Sequence, residues 1–273
     1  MSHLLIFGPG YTASRIALAV ERRGWRVDRV GRAEIGDRAT VEPLVAAATH
    51  LLSSVPPAEG CDPVLDGYGA ALARRSRWTG YLSSTGVYGD TGGAWVDESA
   101  PTGTGRRGAR AEADRAWLDL GAHVFRLPGI YGPGRSPLDR VLAGQAYRVD
   151  RPGQMFSRVH VDDIVAAVLA GFAGPPGAWN IADDLPAPQD AVLAYAAQLL
   201  GKPLPPLVAV EALSPAARGF YAESRRVANG KARRLLNWAP AYPTFREGLR
   251  ALSATISPAM ASALPAAAVN DQR

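Results

Sequence analysis

Lysine is nearly missing from this chain. Lys202 and Lys231 are the only two among 30 lysines and arginines in 273 residues. Cysteine is scarcer still: Cys61 stands alone, which excludes an internal disulfide and any cysteine metal cluster. The four histidines are scattered without ligand spacing, so no metal site is expected. No apolar run reaches the ~18 residues that a membrane-spanning helix needs. Met1 to Gly10 is short and lacks a basic n-region, so no signal peptide is expected and a cytoplasmic, bacterial-type protein fits. The net charge is +5, but the arginines are spread along the chain, with no long run and no aromatic interleaving. They read as solvated faces with a few anion contacts, so the expected partner is a small molecule, with no nucleic acid and no membrane.

What is present is concentrated at the N-terminus. Leu4-Leu5-Ile6-Phe7 is a short apolar run, followed at once by Gly8-Pro9-Gly10-Tyr11-Thr12-Ala13 and then by apolar positions at helical spacing through Val20. Strand, glycine turn and helix in that order fit G-x-G-x-x-A, a form of the dinucleotide-binding fingerprint. Gly8 turns the chain tightly off the strand. Gly10 lets a pyrophosphate approach the backbone, and Ala13 lets the helix pack close. The helix N-terminus offers unpaired N–H groups and partial positive charge to phosphate.

The rest of the chain alternates. Trp25–Val30 reads as a second strand, followed by Gly31-Arg32. An acid here would bind the ribose 2′-OH, whereas an arginine accommodates a 2′-phosphate. Asp28 lies mid-strand, so Arg32 favours NADP, with NAD as the alternative. Strands are expected at Thr49–Ser54, stopped by Val55-Pro56-Pro57, at Trp78–Leu82 and at Ala122–Arg126, with helices over Arg38–Ala48, Asp62–Arg75 and Arg107–Leu120. Alternation of this kind implies a parallel sheet with right-handed crossovers. Asp90–Arg107 is a long loop rich in Gly, Thr and Pro, either a substrate lid or merely mobile. Tyr147–Val149 and Phe156–Val159 look like strands around a Pro-Gly turn. Asn229 and Thr244 are expected to cap the last two helices.

Five stretches in order resemble the atypical and extended short-chain dehydrogenase/reductases, the NAD(P)-dependent epimerase/dehydratase superfamily. They are Gly8–Ala13, Ser83-Ser84-Thr85-Gly86-Val87-Tyr88-Gly89, Arg126-Leu127-Pro128-Gly129-Ile130-Tyr131-Gly132-Pro133-Gly134, His160-Val161-Asp162-Asp163 and Asn180-Ile181-Ala182-Asp183. The resemblance implies an α/β fold: a Rossmann-type doubly wound parallel sheet with a smaller C-terminal substrate lobe. It implies a dinucleotide-binding domain over 1–131, with 160–182 returning to it, and a substrate lobe from 132–159 and 183–256; the Ala- and Pro-rich stretch 257–273, without a clear moment, reads as a disordered tail. Gly8, Gly10, Tyr11, Thr12 and Ala13 would meet the pyrophosphate, Arg32 the 2′-phosphate, and Ser54 and Val55 the body of the cofactor. Pro128, Gly129 and Ile130 would lie near the nicotinamide. Ser84 falls where the family places its catalytic hydroxyl, with Thr85 as the near alternative. A monomer or homodimer is expected.

The family's acid/base is a tyrosine with a lysine four residues later, whose cation lowers the phenol's pKa. Here that pair cannot exist, because Gln198 and Val227 precede the two lysines by four. Tyr88 is the leading spare phenol, as catalyst or as structure. Arg106 and Arg107 are candidates for an anionic substrate, since cations are otherwise unfavourable at a helix start. Arg135 is a similar candidate, as are Arg158, Arg225 and Arg226. Two readings follow. One is an NAD(P)-dependent oxidoreductase or epimerase-like enzyme on a small polar, anionic or sugar-nucleotide substrate. The other is a catalytically silent NADP(H)-binding sensor or regulator.

Overall fold

Residues 2–58, 60–73, 77–105 and 108–256 are described by the structure, a computed structural model. The tail expected at 257–273 lies outside them.

The N-terminal half alternates as expected: β1 (His3–Phe7), α1 (Tyr11–Glu21), β2 (Arg26–Val30), α2 (Arg38–Ala47), β3 (His50–Ser53), α3 (Pro63–Ala73) and β4 (Trp78–Ser84). A short β5 (Trp95–Val96) precedes α4 (Gly108–Asp119) and β6 (His123–Leu127). Then come β7 (Gly129–Tyr131), α5 (Pro137–Leu142), β8 (Arg148–Val149), β9 (Arg158–His160), α6 (Val161–Gly171) and β10 (Gly177–Asn180). The chain closes with α7 (Gln189–Leu199), β11 (Leu207–Val208), α8 (Pro215–Tyr221), β12 (Arg226–Val227), α9 (Gly230–Leu235) and α10 (Phe245–Ile256).

Six strands form one parallel sheet in the order β10-β6-β4-β3-β1-β2. The period of two in β1 divides its side chains between two cores. Leu4 and Ile6 pack with Ala13, Ile16 and Ala17 of α1 and Ile164, Ala167 and Val168 of α6. Leu5 and Phe7 pack with Val41 and Val45 of α2, Val64 and Tyr68 of α3, and Trp117 of α4. Helices therefore cover both faces, and the inner strands β1 and β3, buried on both sides, are the near-continuous apolar runs seen in the sequence, whereas the edge strand β2 stays partly exposed. The chain goes from β1 out to β2 and then crosses to β3 on the other side of β1. That reversal opens a crevice beyond the carboxyl ends of β1 and β3, where ligands bind in open α/β sheets. A separate core joins Leu138 of α5, Val192 and Ala196 of α7, and Phe245, Leu249 and Leu252 of α10.

Three local expectations are corrected. The loop from residue 90 is no loose lid: β5 pairs in parallel with β12, the Thr91 and Gly93 N–H groups donate to the Ser224 carbonyl, and the Asp90 carboxylate accepts from the Ser224 N–H at 2.8 Å. The strands around the Pro-Gly turn do not pair with each other. β8 pairs with β11 and β9 with β7, both in parallel. Asn229 stands at the start of α9 but makes no cap there; its amide donates to the Ala182 carbonyl and Asp184, 2.8 Å each. Thr244 does cap α10, accepting from the Arg246 N–H at 3.1 Å.

Gly248 in α10 is a close-approach position. A Cβ there would stand 2.1 Å from the Tyr131 hydroxyl and 2.7 Å from its ring carbons. Gly248→Ala gains about 1 kcal/mol of helix propensity. Overpacking against a buried ring costs about 1–3 kcal/mol, and three contacts this close put the cost at the upper end. We expect a lower Tm in thermal denaturation.

Candidate active site

The crevice widens into a cleft of about 620 Å³. One wall is Gly10, Tyr11 and Thr12 at the start of α1, with Ser54 and Pro56 after β3. Gly8 has φ +75°, and a Cβ there would lie 2.9 Å from Val55 Cγ2, so glycine lets β1 turn against the segment after β3. Ser54 ties that contact by donating to the Gly8 carbonyl at 2.7 Å. Gly10 is the N-cap of α1, with no side-chain cap and no acid in the first turn. A Cβ on Gly10 would meet nothing nearer than 4.0 Å, so its absence leaves open space before the helix N-terminus. The first-turn N–H groups of Tyr11, Thr12 and Ala13 have no partners within the helix. The Arg15 and Arg135 guanidinium groups lie 5.0 and 5.6 Å from the Tyr11 ring centre. Uncapped N–H groups, the helix dipole, two cations and a space a side chain would fill all suit a pyrophosphate.

Not every residue expected at this end faces the cleft. Ala13 and Val55 are buried in the two cores, and Gly8 acts through the turn. Arg32 is exposed just after β2, outside the cleft lining. Asp28 is occupied by His3 at 2.7 Å and Arg26 at 2.8 Å. Pro128, Gly129 and Ile130 line the cleft, with Ser84, Thr85 and Arg135. Arg106 and Arg107 lie outside the described residues.

Of the two roles expected for Tyr88, its surroundings fit the structural one. It is 2% exposed and its ring does not reach the cleft. Its hydroxyl donates to Asn180 Oδ1 at 2.8 Å and accepts from Arg126 Nη1 at 2.9 Å. Arg126 in turn pairs with Asp114 at 2.7 Å, both almost fully buried, and Asp114 accepts from Ser83 at 2.6 Å. Burial pushes the Tyr88 phenol up to about 12, against the pull of Arg126. Such a group holds its proton through neutral pH and is no base there. Both lysines are elsewhere: Lys231 donates to the Ala178 carbonyl over the Trp179 ring, and Lys202 follows α7.

The other end of the cleft is a set of hydroxyls and cations. Ser84 accepts from the Gly86 N–H at 3.1 Å, so its own proton is available to a ligand oxygen. Arg110, in the first turn of α4, lines the cleft beside Ser83–Gly86. Its Nη1 donates to the Tyr81 hydroxyl at 3.1 Å, and Tyr81 is stacked on Trp117, so the guanidinium is held from below. Arg110 has a faint signal in the sequence, four residues after Arg106, but its place depends on packing across α4 and β4. Arg158, on β9, and Gln189, the first residue of α7, complete another wall. Arg225 also lines the cleft, bound to Glu223 at 2.9 Å and to the Gly89 carbonyl. Arg226 points away, to the Gly93 carbonyl. Among the described residues no His, Cys, Asp and Glu cluster suits a metal ion, and no helix is long and apolar enough to cross a membrane.

A doubly wound sheet with an uncapped, glycine-opened helix N-terminus at its switch point defines a fold of the Rossmann type. No protein-family model matches the sequence. A 3-diazoavenalumate denitrifying reductase from Streptomyces sp is 36% identical over 169 residues, 57% of this chain. The match spans about half the length of that relative, 55%. A functionally unknown conserved protein from Silicibacter pomeroyi DSS is 42% identical, with a TM-score of 0.85 over 93% of this chain and 99% of that one. The human epimerase family protein SDR39U1, solved with NADPH, shares the fold at 13% identity and a TM-score of 0.70, over 92% and 99% of the two chains. The chain therefore has the fold of the NAD(P)-dependent epimerase/dehydratase proteins that its sequence resembles.

Behind Arg158 lies Asp183, 2% exposed, with no described side chain bonded to its carboxyl. Burial pushes it up to about 8, despite the Arg158 cation nearby. The fold thus holds a proton that the unfolded chain releases near pH 4. Ionisation therefore costs stability as pH rises from about 4 to about 8. Asp183→Asn should flatten most of that decline in denaturation measured across the interval. The shallower contribution of Asp163, pushed up to about 6 by burial, should remain.

Proposed function

We propose that this protein is an NADP(H)-dependent oxidoreductase or epimerase-like enzyme, with NAD as the alternative cofactor, acting on a small polar, anionic or sugar-nucleotide substrate. The observation that carries the reading is one continuous cleft. It joins the open N-terminus of α1 to the Ser84, Thr85 and Arg110 end. Gly10, Tyr11, Thr12 and Arg135 would hold the pyrophosphate, Ser54 the body of the dinucleotide, and Pro128, Gly129 and Ile130 the nicotinamide side. Arg32 would meet the 2′-phosphate, with Asp28 already occupied by His3 and Arg26. The name of the Streptomyces relative, a reductase, supports hydride chemistry.

When bound, the nicotinamide supplies or accepts a hydride. This chain's residues would do the rest. Ser84 donates its proton to a substrate oxygen, with Thr85 beside it. Arg110 stabilises negative charge developing on that oxygen. The proton that completes the reaction comes from water through Ser84, since Tyr11, the one tyrosine of the cleft lining, gives its hydroxyl to the Pro133 carbonyl. A small substrate lobe built from 132–159 and 183–256 closes over a cofactor domain of 1–131 with 160–182, and the protein works in the cytoplasm as a monomer or homodimer.

The missing phenol favours a second reading, a silent NADP(H) sensor. The two readings part on turnover. The enzyme oxidises NADPH with some member of a carbonyl panel, and Ser84→Ala slows it by about 10²-fold or more, the scale of a lost acid/base or oxyanion donor. The sensor shows no turnover but binds NADP⁺ and NADPH unequally.

Gly10→Val tests the cradle itself. Gly10 has an ordinary negative φ and open space around it, so valine fits the fold while its methyls fill the phosphate position. We expect an unchanged Tm without ligand and no NADPH binding in a fluorescence titration. Arg32→Ala should cut the preference for NADPH over NADH by about tenfold, equivalent to about 1.4 kcal/mol. An unchanged preference would remove Arg32 from the site.

A further inference from the structure

The cleft carries more positive charge than a pyrophosphate requires. Arg110, Arg135, Arg158 and Arg225 all line it, against a single acid, Glu223, which Arg225 holds at 2.9 and 3.1 Å. Among the described residues, Arg110, Arg135 and Arg158 have no acid within ion-pair distance. Arg135 lies over Tyr11 at the start of α1, and Arg110 sits with Ser84 and Thr85. Arg158 belongs to neither group.

Arg158 is 6% exposed, in the middle of a wall built by β9 and the start of α7. Its Nη1 donates to two backbone carbonyls, Phe156 at 3.0 Å and Ala187 at 2.9 Å. Its Nη2 donates to Gln189 Oε1 at 2.9 Å. These bonds fix the plane of the guanidinium and use three of its five N–H groups, leaving two in a residue that lines the cleft. Gln189 gives its oxygen to Arg158, so its amide N–H₂ is left to donate beside it. The next acid, Asp190, is turned to the Val149 N–H at 3.1 Å. A buried cation rarely goes without a counter-charge. Here the fold holds one rigid in the cleft wall without an ion pair; Asp183 behind it, pushed up to about 8 by burial, keeps its proton at neutral pH.

We propose that Arg158 and Gln189 form a carboxylate-binding subsite, so that the substrate is a monocarboxylate whose anionic end docks here while its reacting oxygen meets Ser84, Thr85 and Arg110. One cation matches one negative charge. The remaining donors are the N–H groups of two planar side chains, which suits a planar carboxylate better than a tetrahedral dianion. This inference rests on the proposed reading that the α1 end of the cleft takes the dinucleotide.

The test uses the full chain loaded with NADPH, titrated by calorimetry with benzoate, cinnamate and hexanoate, with their neutral amides, and with phenyl phosphate. At least one acid should bind tenfold or more tighter than its amide, and tighter than phenyl phosphate. Arg158→Gln should abolish that preference. Gln189→Glu, which places an acid on Arg158 with little change of shape and so guards against misfolding in the first variant, should abolish it too. NADPH affinity, measured separately, should stay within about twofold in both variants. Equal or undetectable binding of acids and amides overturns the subsite, as does an acid preference that survives Gln189→Glu. Tighter phenyl phosphate binding overturns the carboxylate assignment. Failure of the wild type to bind NADPH would instead remove the cofactor reading on which the subsite depends.

Discussion

The ion pair of Arg126 and Asp114 holds the floor of this cleft together. Two charges this buried bear a large desolvation penalty, and they are tolerable only because nearly every polar atom around them is used. Asp114 accepts from Arg126 and Ser83; Arg126 also reaches Tyr88 and the Glu98 carbonyl; Tyr88 reaches Asn180, whose N–H donates to Glu98 Oε1. Through these bonds α4, β4, β6, β10 and the loop at residue 98 become one unit. Ser84 and Thr85 directly follow Ser83 in that unit. Their position at the cleft is therefore fixed by a network that itself performs no chemistry.

That network also explains where the phenol went. The tyrosine of the Ser-Ser-Thr-Gly-Val-Tyr-Gly stretch is a strut, and burial holds it protonated. Two lysines in the whole chain leave none at the reacting end. The site compensates in kind but not in role: Arg110, braced by Tyr81 on Trp117, supplies a fixed positive charge. A cleft with hydroxyl donors and permanent cations is better suited to stabilising negative charge on a substrate than to removing a proton from it. Under the proposed enzyme reading, this bias favours reduction of an electron-poor centre over chemistry that must start from an alcohol.

Much of this was legible in the residues. The β1–glycine turn–α1 unit is local, and its motif spacing, apolar run and helix period all agree. The order of strands and helices through β6, β5 aside, followed from the same periodicities, and the family resemblance gave the cleft positions of Gly10, Tyr11, Thr12, Ser54 and Pro128–Ile130. What failed was non-local. The Pro-Gly turn at residue 152 suggested a hairpin, yet β8 and β9 each found a parallel partner far away in sequence. The loop from residue 90 is polar and glycine-rich like a lid, but the Ser224 segment, more than a hundred residues later, ties it down. Asn229 has a good capping side chain that the Ala182 carbonyl and Asp184 bind instead. Arg110 and Gln189 carry no motif at all; only packing shows that they meet in one cleft with Arg158.

The central claim is that an intact dinucleotide cradle faces hydroxyls and arginines rather than a phenol. The most direct measurement is a crystal structure of the protein with NADPH. The account predicts the pyrophosphate on the N–H groups of Tyr11 and Thr12, with the nicotinamide against Pro128–Ile130. Its reactive face should look towards Ser84, Thr85 and Arg110, with the Tyr88 hydroxyl still on Asn180. A dinucleotide bound elsewhere, or a Tyr88 hydroxyl turned into the cleft within about 3.2 Å of the reacting position, would contradict it.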